Sequence, residues 1–137
     1  MSPSTVLLRW SVALAAAAGL AGVAHALTPA ELLAEYSAKA GAAASPERGQ
    51  RFFNTRFNQT FGWSCATCHG AVPTKAGADD LTKKPIAALA PAVTATRFTD
   101  RSRSEHLFRL NCKDVVGREC TAAEKADVLA WLLTLKP

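Results

Sequence analysis

Methionine occurs once in the 137 residues, as Met1, and tyrosine once, as Tyr36. Charge is almost missing from the start: Arg9 is the only charged side chain before Glu31. The apolar stretch over residues 10–23 is about 14 residues long, against the roughly 20 that a bilayer span needs. Those figures exclude a multi-pass membrane protein. There is no glycine-rich phosphate loop, no internal repeat and no low-complexity tract, so nothing points to a nucleotide-binding or repeat architecture. At 49% hydrophobic and 20% charged residues the chain is not a disordered tail, and its length leaves no room for a multi-domain enzyme.

The opening segment reads as a targeting signal. One positive charge, an Ala/Leu/Val run and the small-x-small string Ala24-His25-Ala26 make residues 1–26 a cleaved signal peptide, with the mature chain starting at Leu27. An uncleaved anchor is the alternative. Export to the periplasm follows, with residues 27–137 as a single domain. Within that domain 15 Lys and Arg face 11 Asp and Glu, a net charge of +4, and the histidines left are His69 and His106. No methionine remains. The basic residues are scattered and lack an aromatic stacking platform, which gives no basis for nucleic-acid binding.

Cys65-Ala66-Thr67-Cys68-His69 is a C-x-x-C-H string. Two thiols three positions apart reach the two vinyl groups of a haem and form thioethers, and the adjacent histidine becomes the proximal iron ligand. A zinc half-site would need a second Cys/His pair of comparable form, and Cys112 with Cys120 is a poor one. A thioredoxin-like redox pair would need a βαβ context, and no alternating strand pattern is present. The string therefore predicts one covalent haem c on Cys65 and Cys68, with His69 on the iron. In an oxidising compartment Cys112 and Cys120 either pair, closing a loop that contains Gly117, or stay as free thiols.

Capping signals predict an all-α domain. Thr28-Pro29-Ala30-Glu31 opens a first helix that Gly41 ends, with Leu32, Leu33 and Tyr36 on one face. Ser45-Pro46 opens a second, reaching about Asn54. Residues 70–99 contain Pro73, Pro85, Pro91 and Gly77 and hold no sustained period, apart from a possible helical turn over 86–89. Such a stretch suits a segment that wraps a cofactor. A third helix is expected over about 102–111, with Glu105 completing a capping box. The last starts at Thr121 with Glu124 closing its box, and carries Val128, Leu129, Trp131 and Leu132.

Gly49-x-x-x-Phe53 and Val128-x-x-Trp131 resemble the crossing helices of a class I cytochrome c, where a glycine admits the facing backbone and ring. Most electron-carrying members place a methionine on the far side of the iron, and the mature chain has none. His106, Asn111, a lysine, Tyr36 or nothing could stand there. Leu107, Phe108 and Leu110 define an apolar stripe; Asn111 lies about 35° from its centre and His106 about 105°. Asn111 then either caps the end of its helix or ligates, and His106 is either a surface histidine or a ligand.

A closer resemblance rests on Leu89-Ala90-Pro91, Arg97-Phe98-Thr99-Asp100, Asn111-Cys112, Gly117-Arg118-Glu119-Cys120-Thr121 and Glu124-Lys125-Ala126-Asp127. These strings, in this order, resemble the sphaeroides haem protein (SHP) type, oxygen-binding class I cytochromes c with an asparagine axial ligand. The resemblance implies Cys65 and Cys68 as haem attachment points, His69 as proximal ligand, Asn111 as distal ligand, and a disulfide between Cys112 and Cys120. It also implies a dihaem cytochrome c and a membrane cytochrome b as electron donors. An amide carbonyl is a hard, weak donor that suits ferric iron and binds ferrous iron poorly. Reduction is therefore expected to release Asn111 and open the site to O₂, NO or CO. The alternatives are a plain electron carrier with His106 as fixed sixth ligand, or a peroxidase- or oxygenase-type enzyme.

Overall fold

A computed structural model describes residues 26–57 and 60–137; the signal peptide expected over 1–26 lies, but for Ala26, outside the described residues. The elements in chain order are α1 (Pro29–Ala40), α2 (Pro46–Asn54), α3 (Cys65–His69), β1 (Gly77–Ala78), β2 (Pro85–Ile86), α4 (Arg101–Val116) and α5 (Ala122–Thr134). Among the described residues no helix is long and apolar enough to cross a membrane.

The helix starts follow the caps. Thr28 Oγ1 accepts the Glu31 amide at 3.2 Å while Glu31 Oε2 accepts the Thr28 amide at 2.7 Å, and Gly41 ends α1 at φ 63°. Thr121 and Glu124 repeat that exchange at the start of α5, at 3.2 and 2.8 Å. Ser45 Oγ accepts the Arg48 amide at 3.2 Å and opens α2, with Pro46 in the first turn, where its missing N–H costs nothing.

α1 and α2 both pack on α5. Leu32 and Tyr36 of α1 bury themselves against Ala126 and Leu129, and Phe53 of α2 against Val128, Trp131 and Leu132. Full burial of such side chains stabilises by about 1.5–3 kcal/mol each. The α2–α5 crossing is close because Gly49 has no side chain. Asp127, in the same turn of α5, accepts Arg48 Nε and Nη2, both at 2.7 Å, and the Ser45 amide at 2.6 Å, which fixes the angle at which α2 enters.

Three expectations change. α4 starts one residue early, because Asp100 rather than Ser102 is the cap, its Oδ1 accepting the Arg103 amide at 2.9 Å. Glu105 accordingly forms no capping box and instead accepts Lys125 Nζ of α5 at 2.7 Å. α4 also runs past Asn111 to Val116, where Gly117 at φ 80° stops it, so Asn111 lies inside the helix and is no cap. Residues 70–99 are irregular as expected, but 86–89 is no helical turn: Pro85 and Ile86 pair antiparallel with Ala78 and Gly77. Pro73 is buried at the centre of this wrap, and its carbonyl accepts the amides of Leu89 and Ala90 at 3.0 and 3.1 Å.

Candidate functional site

α3 is five residues long, too short to hold itself up as an isolated helix. Its neighbours hold it. The Ser64 amide donates to Thr67 Oγ1 at 3.0 Å, and the Gly70 amide donates back to the Ala66 carbonyl at 2.8 Å. Gly77 backs onto it so closely that a Cβ there would stand 2.0 Å from the Cys68 carbonyl oxygen. Helical spacing puts Cys65, Cys68 and His69 on one face, and all three line a cavity of about 410 Å³. Both thiols are free, and burial pushes the Cys65 thiol up to about 11.

The His69 ring lies 6.2 Å from Phe53, which packs at 5.0 Å on Trp131, so the packing that joins α2 to α5 also supports the imidazole. Burial, with a smaller push from Arg97, lowers His69 to about 4. At neutral pH the ring is uncharged and offers a nitrogen to a metal.

α4 forms the other wall. Its cavity-lining residues are Arg103, Ser104, Leu107, Phe108, Asn111, Asp114 and Val115, a stripe at helical spacing with Arg103 at its edge. Asn111 falls at the centre of that stripe and is exposed toward the cavity. His106 points about 140° away at 100° per residue. It lies in a shallow surface depression with Glu105 and Arg109 and meets the Arg109 guanidinium at 3.2 Å. Leu110, expected on the apolar stripe, is 44% exposed; buried Ser104 takes part in the stripe instead, its hydroxyl donating to the Asp100 carbonyl at 2.7 Å.

Cys112 and Cys120 are joined, with their Cα atoms 5.7 Å apart. The bridge ties the last turns of α4 to the start of α5, one residue beyond Asn111, and packs with Val116 against Phe52, Phe57 and Phe108. These two sulfurs are therefore not available to complete a zinc site with Cys65 and Cys68. An i, i+3 thiol pair, a neutral imidazole and a largely apolar cavity facing it fit a haem attached through Cys65 and Cys68.

Sequence reasoning missed two of the charged groups in the cavity wall, Arg97 and Asp114. Arg97 is half-buried, donating from Nε to the Ala88 carbonyl at 3.1 Å and from Nη2 to the Ala87 carbonyl at 2.6 Å, with no carboxylate partner among the described residues. The next residue, Phe98, also lines the cavity and holds φ at 62°, a left-handed conformation costly for a bulky side chain. Partners that are backbone carbonyls ten residues upstream leave no sequence signal.

Residues 39–132 match a family model described as a domain of unknown function (DUF1924). The chain is 51% identical over 109 residues to the cytochrome c-type protein SHP of Cereibacter sphaeroides, covering 77% of this chain and 82% of that one. Its fold matches the structure of oxidized SHP, an oxygen-binding cytochrome c, with a TM-score of 0.73 at 47% identity, over 81% of this chain and all of the other. It also matches the solution structure of cytochrome c'' from Methylophilus methylotrophus, described as giving insight into haem-ligand detachment, with a TM-score of 0.71 at 35% identity, over 80% and 94% of the two chains.

Proposed function

The chain belongs to the SHP family of c-type cytochromes, and from that premise we propose that it is a periplasmic haem protein that accepts electrons and, once reduced, binds a diatomic gas at a position Asn111 gives up. Its cofactor is haem c, which when bound supplies an iron that passes between Fe(III) and Fe(II) and takes O₂, NO or CO as a ligand. Cys65 and Cys68 hold the group by thioethers, and His69 presents a neutral ring nitrogen from the α3 side. Arg97 brings a positive charge into the same wall, suited to the carboxylates that a haem carries.

The observation that carries the reading is the position of Asn111 at the centre of the α4 stripe, on the same cavity as His69, with His106 turned away from it. A carboxamide oxygen is neutral, hard and weakly basic. It suits a ferric centre and lets go of a ferrous one. Once released, the same side chain has two N–H donors to offer a ligand in the cavity. The disulfide immediately after it keeps the backbone from following, so the movement is one of side-chain rotation. A fixed His106 ligand would require α4 to turn by well over a quarter revolution against α5.

Electrons are expected from the donors that the resemblance implies, a dihaem cytochrome c and a membrane cytochrome b. The test is the optical and EPR spectrum of the holoprotein and of N111V, each ferric, dithionite-reduced, and reduced under CO. The wild-type protein should bind CO only when reduced, and N111V should lose a ligand in the ferric form. A ferric spectrum unchanged in N111V, or a reduced wild-type protein indifferent to CO, overturns the proposal.

A further inference from the structure

Asn111 shares its wall with a carboxylate that has nothing to do. Asp79 of the same cavity accepts the amides of Leu81 and Thr82 at 3.1 and 2.7 Å. Asp80 accepts Trp63 Nε1 at 3.0 Å and pairs with Lys83, and Asp100 caps α4. Asp114 is exposed at the edge of the cavity and, among the described residues, makes no side-chain hydrogen bond or ion pair, one to Asn111 included, although it lies on the same stripe as Asn111 and three residues after it. Residues three apart on a helix are neighbours. Helical side chains also lean toward the N-terminus, so the one at 114 covers the turn that contains 111.

Those two facts bear on a problem the carboxamide poses. An asparagine has two ends, a carbonyl oxygen that can bind a metal and an NH₂ that cannot, and rotation about its last bond exchanges them. An ionised carboxylate accepts hydrogen bonds and donates none. One turn from Asn111 on the same stripe, it would favour the rotamer that turns the NH₂ toward itself and the oxygen away, into the cavity. The bond also draws electron density through the amide onto that oxygen and makes it a better donor to a positive centre, as an outer carboxylate does for a ligating histidine.

We propose that Asp114 is the positioning residue for Asn111: its carboxylate orients the carboxamide oxygen-first and strengthens it as a ferric ligand. This rests on Asn111 being the ligand. The freed amide would then keep one N–H on that carboxylate and hold the other for a ligand in the cavity.

The experiment compares the ferric spectrum and midpoint potential of holoprotein variants D114A, D114E, N111V and the N111V/D114A pair. D114A should move the ferric spectrum toward that of N111V and shift the Fe(III)/Fe(II) equilibrium toward ferrous about threefold more than the same substitution does in the N111V background. D114E should restore much of the wild-type spectrum. Two results overturn the proposal alone: a D114A ferric spectrum identical to wild type, or a potential shift equal in both backgrounds, which is what loss of a nearby charge by itself produces. An N111V ferric spectrum identical to wild type instead removes Asn111 as the ligand, and the proposal with it.

Discussion

Gly49 and Asp127 meet backbone to backbone: a Cβ on Gly49 would stand 1.9 Å from the Asp127 carbonyl oxygen and 2.8 Å from the Val128 amide nitrogen. No rotamer relieves a clash with a main chain, so α2 and α5 would have to separate, and with them Phe53 and Trp131. G49A should therefore destabilise the holoprotein by at least the 1–3 kcal/mol typical, at roughly that size, of an overpacked core. Urea unfolding checks it, and a midpoint equal to wild type would show that the crossing has slack.

Glu124 accepts Arg118 Nη1 and Nη2 at 2.8 and 2.6 Å and the Thr121 amide at 2.8 Å. The guanidinium is the main reason its carboxyl lies below the ordinary value, and the Thr121 amide adds to it against the opposing effect of burial. A carboxyl lowered in the folded state contributes stability that is present above its unfolded value and is lost as pH falls through the folded one. E124Q should thus be less stable than wild type at pH 7, with the gap closing as the pH drops through the carboxylate range. Urea midpoints measured across that range decide it; a gap constant with pH would mean that the cap, and not the charge, carries the effect.

Joining Cys112 to Cys120 restricts the unfolded chain. For two cysteines eight residues apart the loop-entropy model gives roughly 2–3 kcal/mol. The paired variant C112S/C120S should lose about that much in urea unfolding. An unaltered midpoint would show that the packing of Val116 against Phe52 and Phe108 already supplies the restraint.

Arg97 is a cation in the cavity wall whose guanidinium donates to the carbonyl oxygens of Ala87 and Ala88. At an effective dielectric of 20 a unit charge in such a wall is worth on the order of 1 kcal/mol to a second charge in the cavity. R97Q should lower the midpoint potential, about a tenfold change in the equilibrium in favour of ferric, and R97K should retain most of the wild-type value while losing the fork of bonds to Ala87 and Ala88. Potentiometric titration of the three proteins checks this. Equal potentials would place the guanidinium's role in holding the wrap and not in its charge.

The parts of this molecule written in short-range chemistry could be read before any coordinates. Thr28 with Glu31 and Thr121 with Glu124 are reciprocal caps within four residues, and C-x-x-C-H carries its spacing with it. Gly49 was legible only through the cytochrome resemblance that C-x-x-C-H supports, since a glycine four residues before an aromatic is by itself ordinary core packing. The extent of α4 was harder to read. Asn111-Cys112 looks like a helix end when the following cysteine is expected to start a bridged loop, yet the chain has no stop before Gly117, and Val115 and Val116 are helical because Val116 and the bridge bury together. The stripe was misjudged for a related reason. Leu110 is apolar and exposed, while Ser104 is polar and buried because its hydroxyl finds the Asp100 carbonyl, a partner no hydropathy scale records. Arg97 and Asp114 were passed over since charged residues ordinarily face solvent, and only the wrap and the stripe bring them to the cavity.

The contact between Gly77 and the carbonyl of Cys68 also bears on the order of events in biogenesis. In the folded protein the helix Cys65–His69 is clamped from behind by the 70–90 segment. A five-residue helix has little stability of its own, so residues 65–69 depend on that segment for their helical shape. Haem attachment at Cys65 and Cys68, as proposed, would then precede closure of the wrap. A substitution at Gly77 would push directly on the backbone of Cys68 and His69, and so would reach the site through the scaffold behind it.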